Sequence, residues 1–217
     1  MELRSINVSR PQTVLFRGQE ITTGIFKSPV IGPIFLHTTN LDGDQQADLS
    51  VHGGRNKAVY VYPYEHYATW QQELGRNDFT FGQFGENFTV TGLLEDQVHL
   101  GDVLQIGEAI VEVTQPRIPC YKLGARMGSH LFPKLFLRRG RTGFYVRVVQ
   151  EGLVTPGDAI RLISTPVDGL TVRELWAMIY EERAEVNQIY QAWQLDSIGP
   201  EWRHPLERQL EELGVLI

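Results

Sequence analysis

The sequence predicts a mainly β chain: a closed or nearly closed β-barrel with a few helices, then a small three-helix module. Two observations carry this. Short runs rich in Val, Ile, Phe and Thr recur through the first 165 residues, separated by Gly and Pro. Many short strands at such spacing favour a barrel. Past Gly169 the apolar spacing changes from two to three and four, the period of a helix. The expected division is a β-barrel domain over 1–165 and a helical domain over 168–217, linked through Ser164-Thr165-Pro166-Val167-Asp168-Gly169.

In chain order, strands are expected at Leu3 to Val8, Thr13 to Phe16, Glu20 to Phe26 and Ile31 to His37. Leu41-Asp42-Gly43-Asp44 is a turn into a polar loop, and Ala58 to Tyr62 is a further strand. Pro63 suits a helix start, with Tyr67, Trp70 and Leu74 at helical spacing. Strands resume at Val98 to Leu100, Val103 to Ile106 and Ala109 to Thr114, with Gly107-Glu108 placed to turn a hairpin. Gly143 to Val149 and Ala159 to Ile163 close the β portion. Thr171 and Glu174 form a capping box flanked by Leu170 and Leu175 as its hydrophobic staple. Val186, Ile189, Tyr190 and Trp193 mark a second helix, and Trp202, Leu206, Leu210 and Leu213 a third, stopped by Gly214.

Apolar residues at 42% and charged residues at 21% describe a globular chain with a real core. No apolar run approaches membrane-spanning length, and Met1-Glu2-Leu3-Arg4-Ser5 begins no secretory signal. A single cysteine excludes an internal disulfide framework and agrees with a reducing compartment. The protein is expected to be soluble and cytoplasmic. Charge is uneven: from Thr171 onward nine acids face four arginines, holding five of the six net negative charges. Between Arg117 and Arg147 there are eight Lys or Arg and no acid. This basic centre is too local for general nucleic-acid binding, which needs a broad basic face, but it suits an anionic cofactor or substrate.

The chemistry is expected within Gln115-Pro116-Arg117-Ile118-Pro119-Cys120-Tyr121-Lys122-Leu123. Pro116 and Pro119 stiffen the approach to the only cysteine and bias their predecessors to extended backbone. From Tyr121 the composition is helix-compatible, which sets Cys120 at a helix N-terminus. The helix dipole and Arg117, Lys122 and Arg126 would favour its thiolate. A lone cysteine is also commonly just a small buried hydrophobe. The second candidate is His52-Gly53-Gly54-Arg55-Asn56-Lys57, where two glycines let backbone N–H groups converge on an anion. A tight turn needing positive φ accounts for the same glycines equally well. The loop is neither a P-loop nor a dinucleotide fingerprint, and no His-Glu-x-x-His run occurs. Asn87 could donate to a polar ligand or satisfy its own loop.

Several stretches together carry a resemblance: Thr23-Gly24-Ile25-Phe26-Lys27, Gly43-Asp44, Asp48, His52-Gly53-Gly54, Lys57-Ala58-Val59-Tyr60, Gly85-Glu86-Asn87 and the run Pro116 to Leu123. In this order they resemble the MOSC family, the β-barrel domain named after the C-terminal part of molybdenum cofactor sulfurases. The trailing helices resemble the helical domain of its YiiM-type branch. The resemblance implies a β-rich fold, a cysteine committed to sulfur or molybdenum chemistry, and reduction of N-hydroxylated compounds, N-hydroxylated purine bases included.

On that reading Cys120 is the catalytic residue and the molybdenum ligand, since a soft metal held by a pterin dithiolene suits a thiolate. The cofactor, of molybdopterin type, ends in a phosphate. Arg117, Lys122, His52, Gly53, Gly54, Lys57, Asn87 and Asp48 are its expected binding residues. No Rossmann fingerprint is present, so electrons are expected from a reductase protein, for which the acidic tail is a candidate docking face. The substrate would be a small N-hydroxylated molecule, and no nucleic-acid or membrane partner is expected. The alternative is a carrier that binds the cofactor, or a persulfide on Cys120, and passes it on. A Cys–His hydrolase using Cys120 and His52 is a third, weaker reading.

Overall fold

In the computed structural model, residues 1–45, 53–181 and 184–217 are described. Eight strands form the main sheet: β1 (Glu2–Val8), β4 (Ser28–Pro29), β6 (Val59–Pro63), β7 (Phe88–Thr91), β8 (Val103–Ile106), β9 (Ala109–Pro116), β10 (Phe144–Gln150) and β12 (Ile160–Ser164). Their order is β12-β8-β9-β10-β6-β7-β1-β4, and only the β6–β7 pair is parallel. Two small ribbons flank it, β2 (Gln12–Phe16) with β3 (Gln19–Thr23), and β5 (Ile34–Leu36) with β11 (Gly152–Val154). The hairpin expected at Gly107-Glu108 joins β8 to β9.

The sheet is not a closed barrel, which corrects the sequence expectation. At one edge β4 stops after two residues, and its Pro29 has no N–H to extend a ladder. At the other edge four of the five residues of β12 are exposed. The start of β1 meets the approach to β12 through one bridge, Glu2–Ala159, and three backbone hydrogen bonds. Such closure depends on partners far apart in sequence, which strand spacing does not encode. Residues 98–100, expected as a strand, contribute only an isolated bridge between His99 and Thr171.

All five residues of β6 are buried, and the strand separates two cores. Val59 and Val61 face the main aliphatic core, together with Val111 and Val113 of β9 and Val146 and Val148 of β10. Tyr60 and Tyr62 face an aromatic core with Tyr67, Trp70, Phe84, Phe132 and Phe136. Trp70 and Phe136 stack with centroids 5.6 Å apart, a contact worth about 0.5–1.5 kcal/mol beyond area burial. Trp70 lies on α1 (Glu65–Leu74), which stops at Gly75 in a left-handed turn that only glycine takes without cost. The aromatic core is completed by α2 (Tyr121–Met127) and α3 (Phe132–Arg139).

Three helices follow, α4 (Val172–Tyr180), α5 (Val186–Trp193) and α6 (Pro200–Glu212). The Thr171–Glu174 capping box forms as read from the sequence. Leu175, Trp176, Ile189, Trp202, Leu206 and Leu210 are buried in the same cluster as the sheet residues. These helices therefore share a hydrophobic core with the sheet. The Trp202 indole also donates to the Pro116 carbonyl at 3.2 Å, fastening α6 to the end of β9.

Candidate functional site

Strand β9 ends at Pro116, and the chain passes without regular secondary structure through Arg117, Ile118 and Pro119 into Cys120. Cys120 is the N-cap residue of α2, with φ −110° and ψ 174°. The two prolines and the helix start thus place the thiol where the sequence reading put it. Cys120 is partly exposed and lines two adjoining pockets, which also share Lys57, Ile118 and Tyr145.

The inner pocket reaches down to Lys27, Asp44, Tyr60, Asn87, Arg117 and Lys122. Its floor is a buried polar lattice. Lys27 is ion-paired with Asp44, both side chains nearly inaccessible. The Asn87 amide donates to Asp44 Oδ2 at 2.9 Å and accepts from the Tyr60 N–H at 3.2 Å. Ser9 N–H donates to Asp44 Oδ1 at 2.8 Å. Burial lowers the Lys27 pKa, opposed by the Asp44 charge and hydrogen bond. Glu86, fully buried, accepts from the Gly82 and Phe84 N–H groups at 3.0 Å each, from Thr89 at 2.9 Å and from Tyr67. Burial pushes its carboxyl up, and these donors pull the other way. Gly85 has φ +81°, and a side chain there would strike Ile25, so the Gly85-Glu86-Asn87 turn needs its glycine.

Arg117 is buried. Its guanidinium donates to the Phe84 carbonyl at 3.0 Å and the Tyr60 hydroxyl at 3.2 Å, and lies 4.4 Å from the Tyr60 ring centre. Burial disfavours its charge, but Tyr60, Tyr145 and Cys120 outweigh this and raise its pKa. It thus presents a permanent cation behind the thiol. Burial also raises Tyr145, which keeps its phenol protonated beside Cys120. Arg126 is placed differently from the expectation: its guanidinium sits 5.4 Å from the Phe26 ring centre, and it lines neither pocket.

The outer pocket is a cleft of about 700 Å³ between Gly53, Gly54, Arg55, Asn56 and Lys57 on one side and Gly199, Pro200 and Glu201 on the other. That is within the range of roughly 300–1,000 Å³ typical of cofactor sites. Gly54 has φ +97°, opening a short 3-10 turn over Arg55–Lys57, so the turn requirement is real. Lys57 is ion-paired with Glu201. Burial works against the Glu201 charge, but the hydrogen bond from Lys57 holds its carboxyl below the usual range.

Of the expected site residues, Cys120, Arg117, Lys122, Gly53, Gly54, Lys57 and Asn87 meet in these two pockets. Asp48 and His52 lie outside the described residues. The sequence reading gave no site role to Lys27, Asp44, Tyr60, Glu86, Gln115, Tyr145 or Glu201. For Lys27, Asp44, Tyr60 and Glu86 a signal existed, since they stand inside the stretches that carried the family resemblance, and Gln115 opens the run in which the chemistry is expected. Among the described residues no group of three or more His, Cys, Asp or Glu could hold a metal ion, and no helix is long and apolar enough to cross a membrane.

A family profile, "MOSC domain", matches residues 48–161. Protein YflK of Bacillus subtilis (strain 168) is 39% identical over 96% of this chain and 94% of its own length. A protein named "Reductase" from Gibberella moniliformis is 33% identical over 82% of this chain, but only 32% of that longer protein is covered. The crystal structure of YiiM from Geobacillus stearothermophilus superposes with a TM-score of 0.79 at 34% identity, covering 96% of this chain and 98% of that one. The profile match, which takes in β6 to β11 and the thiol, and the YiiM likeness extending through the C-terminal helices agree with each other: the chain belongs to the MOSC domain family and is of the YiiM type.

Proposed function

We propose that this protein is a molybdenum-cofactor-dependent oxidoreductase that reduces N-hydroxylated compounds, N-hydroxylated purine bases among them, to amines. The observation that carries the proposal is the setting of Cys120. The only cysteine stands where two pockets meet, with Lys27, Lys57, Arg117 and Lys122 around them. The family's association with molybdenum cofactor and the name of the Gibberella relative support it.

The residues present fit such a group. One soft thiolate, with no cluster of oxygen or nitrogen ligands among the described residues, suits a metal that brings its own sulfur ligands. Lys57, Lys122 and the Gly53 and Gly54 backbone would hold the phosphate, Cys120 the metal, and Arg117 the negative charge near it. When bound, the cofactor supplies the two-electron redox couple. The protein's own part is to bind, orient and screen. Asn87 and Arg117 are fixed by their hydrogen bonds, so they cost no reorganisation when the ligand arrives. Tyr145 offers a flat ring and a protonated hydroxyl beside the thiol. In the balanced reaction the N–O bond breaks, two electrons and two protons enter, and the oxygen leaves as water. The electrons come from a partner reductase, as expected from the sequence.

The test is to reduce the purified, metal-loaded protein chemically and add 6-hydroxylaminopurine anaerobically. One adenine formed per molybdenum, and none from Cys120→Ala, is the expected result. No amine from any N-hydroxylated base, at full metal loading, overturns the enzyme reading in favour of a cofactor carrier.

A further inference from the structure

We propose that Glu201, on the C-terminal helix α6, sets the affinity of the pocket for anions: it is a resident carboxylate on Lys57 that an incoming anion must displace. A phosphate monoester, with two negative charges, would compete better than a carboxylate with one. The proposal rests on reading the pocket as an anion site, but not on molybdenum or on any turnover.

Glu201 is not a loose surface acid. Its carboxylate takes the Lys57 ion pair and a hydrogen bond from Gln115 Nε2 at 2.9 Å. Gln115 Oε1 in turn accepts from the Gly199 N–H at 2.6 Å, so one side chain of β9 clamps the first turn of α6. The neighbouring Trp202 is fully buried and bonded to the Pro116 carbonyl, which fixes the rotation of the helix. Gly199 contributes by what it lacks, since a methyl group there would overlap the Glu201 carboxylate. Its φ of −78° is open to any residue, so space and not strain selects glycine.

Energetically the pair is intermediate. The Lys57 side chain is 18% exposed and that of Glu201 30%, so water screens it less than a surface pair but does not desert it. Such a contact is strong enough to tax anion binding and weak enough to be exchanged. A phosphate dianion on Lys57 gains more Coulombic attraction than the carboxylate it replaces, whereas a carboxylate ligand only breaks even.

The experiment is calorimetric titration of the full-length, cofactor-free protein with phenyl phosphate, and with benzoate as its carboxylate counterpart. Glu201→Gln is expected to bind phenyl phosphate roughly tenfold tighter, the order of one charge-assisted hydrogen bond. Benzoate, starting weaker, should gain by a similar factor, because both ligands displace the same carboxylate. Gly199→Ala, which pushes the carboxylate aside, should shift affinity the same way. In a Lys57→Met background the Glu201→Gln gain should vanish. Unchanged or weaker phenyl phosphate binding by Glu201→Gln, with its melting temperature intact, overturns the proposal. So does a gain that survives in Lys57→Met. Because no metal or N-hydroxylated substrate is used, failure of the enzyme reading leaves this result standing.

Discussion

The floor and the outer wall of the pocket are both rich in charge, yet they are built on opposite principles. On the floor, Lys27, Asp44 and Asn87 are buried and tied to one another and to backbone. On the wall, Lys57 and Glu201 are partly exposed, and their pairing links the turn before β6 to the C-terminal helix α6. A buried pair is costly to break but contributes little to ligand binding, because its charges are already committed. A half-exposed pair can be exchanged for a ligand. The floor thus fixes the pocket's shape and presents preset groups, and exchange of a resident charge for a ligand belongs to the wall.

The largest effect is expected where the wall's support is removed. Deleting the chain from Thr171 takes away Trp176, Ile189, Trp202, Leu206 and Leu210, which share a cluster with Val111 and Val113 of the sheet. Each fully buried side chain of this kind is worth about 1.5–3 kcal/mol. The truncated protein should be insoluble or unfolded. A soluble product with a cooperative melt would show that the wall is an appendage to an independent sheet domain.

Asp44→Asn probes the floor. Leaving Lys27 buried without its counter-charge should cost about 3 kcal/mol in chemical denaturation. The sign of its pH dependence follows from Lys27, whose folded pKa already lies below the usual lysine value. A lysine lowered on folding destabilises while it is charged, so raising the pH through its folded pKa relieves the cost. The deficit of the variant should therefore shrink toward alkaline pH. A deficit that stays constant would mean that Asp44 acts through Ser9 and Asn87 alone.

A smaller effect should separate binding cations from spectators. Lys122 lines the inner pocket, whereas Lys134 is exposed on α3 and lines neither. Lys122→Glu should weaken cofactor retention by roughly ten- to a hundredfold, and Lys134→Glu by far less. Equal losses on dialysis would reduce the basic stretch to a general field.

How much of this was legible in the sequence differs between the same two regions. The arm that carries Cys120 was readable because Pro116 and Pro119 act locally and the helix begins directly after the thiol. The Thr171 capping box was readable for the same reason. Helix α3 is not legible locally: its residues stand out as a basic stretch, and Pro133 is tolerated because it falls in the first turn. The pairing of Lys27 with Asp44 crosses seventeen residues, and the hydrogen bond from Gln115 to Glu201 crosses 86. No local pattern announces either contact, because the fold alone brings them together. The expectation of a closed or nearly closed barrel fails on full closure because edge pairing is likewise non-local.

The central claim is that Cys120 binds the metal of the cofactor at the meeting point of floor and wall. X-ray absorption at the molybdenum K-edge, on protein loaded in a cofactor-competent host, tests it directly. Wild type and Cys120→Ser should be compared at equal metal content. The account predicts one sulfur fewer around molybdenum in Cys120→Ser, with the remaining sulfur shell unchanged. An identical sulfur shell in both proteins would contradict it.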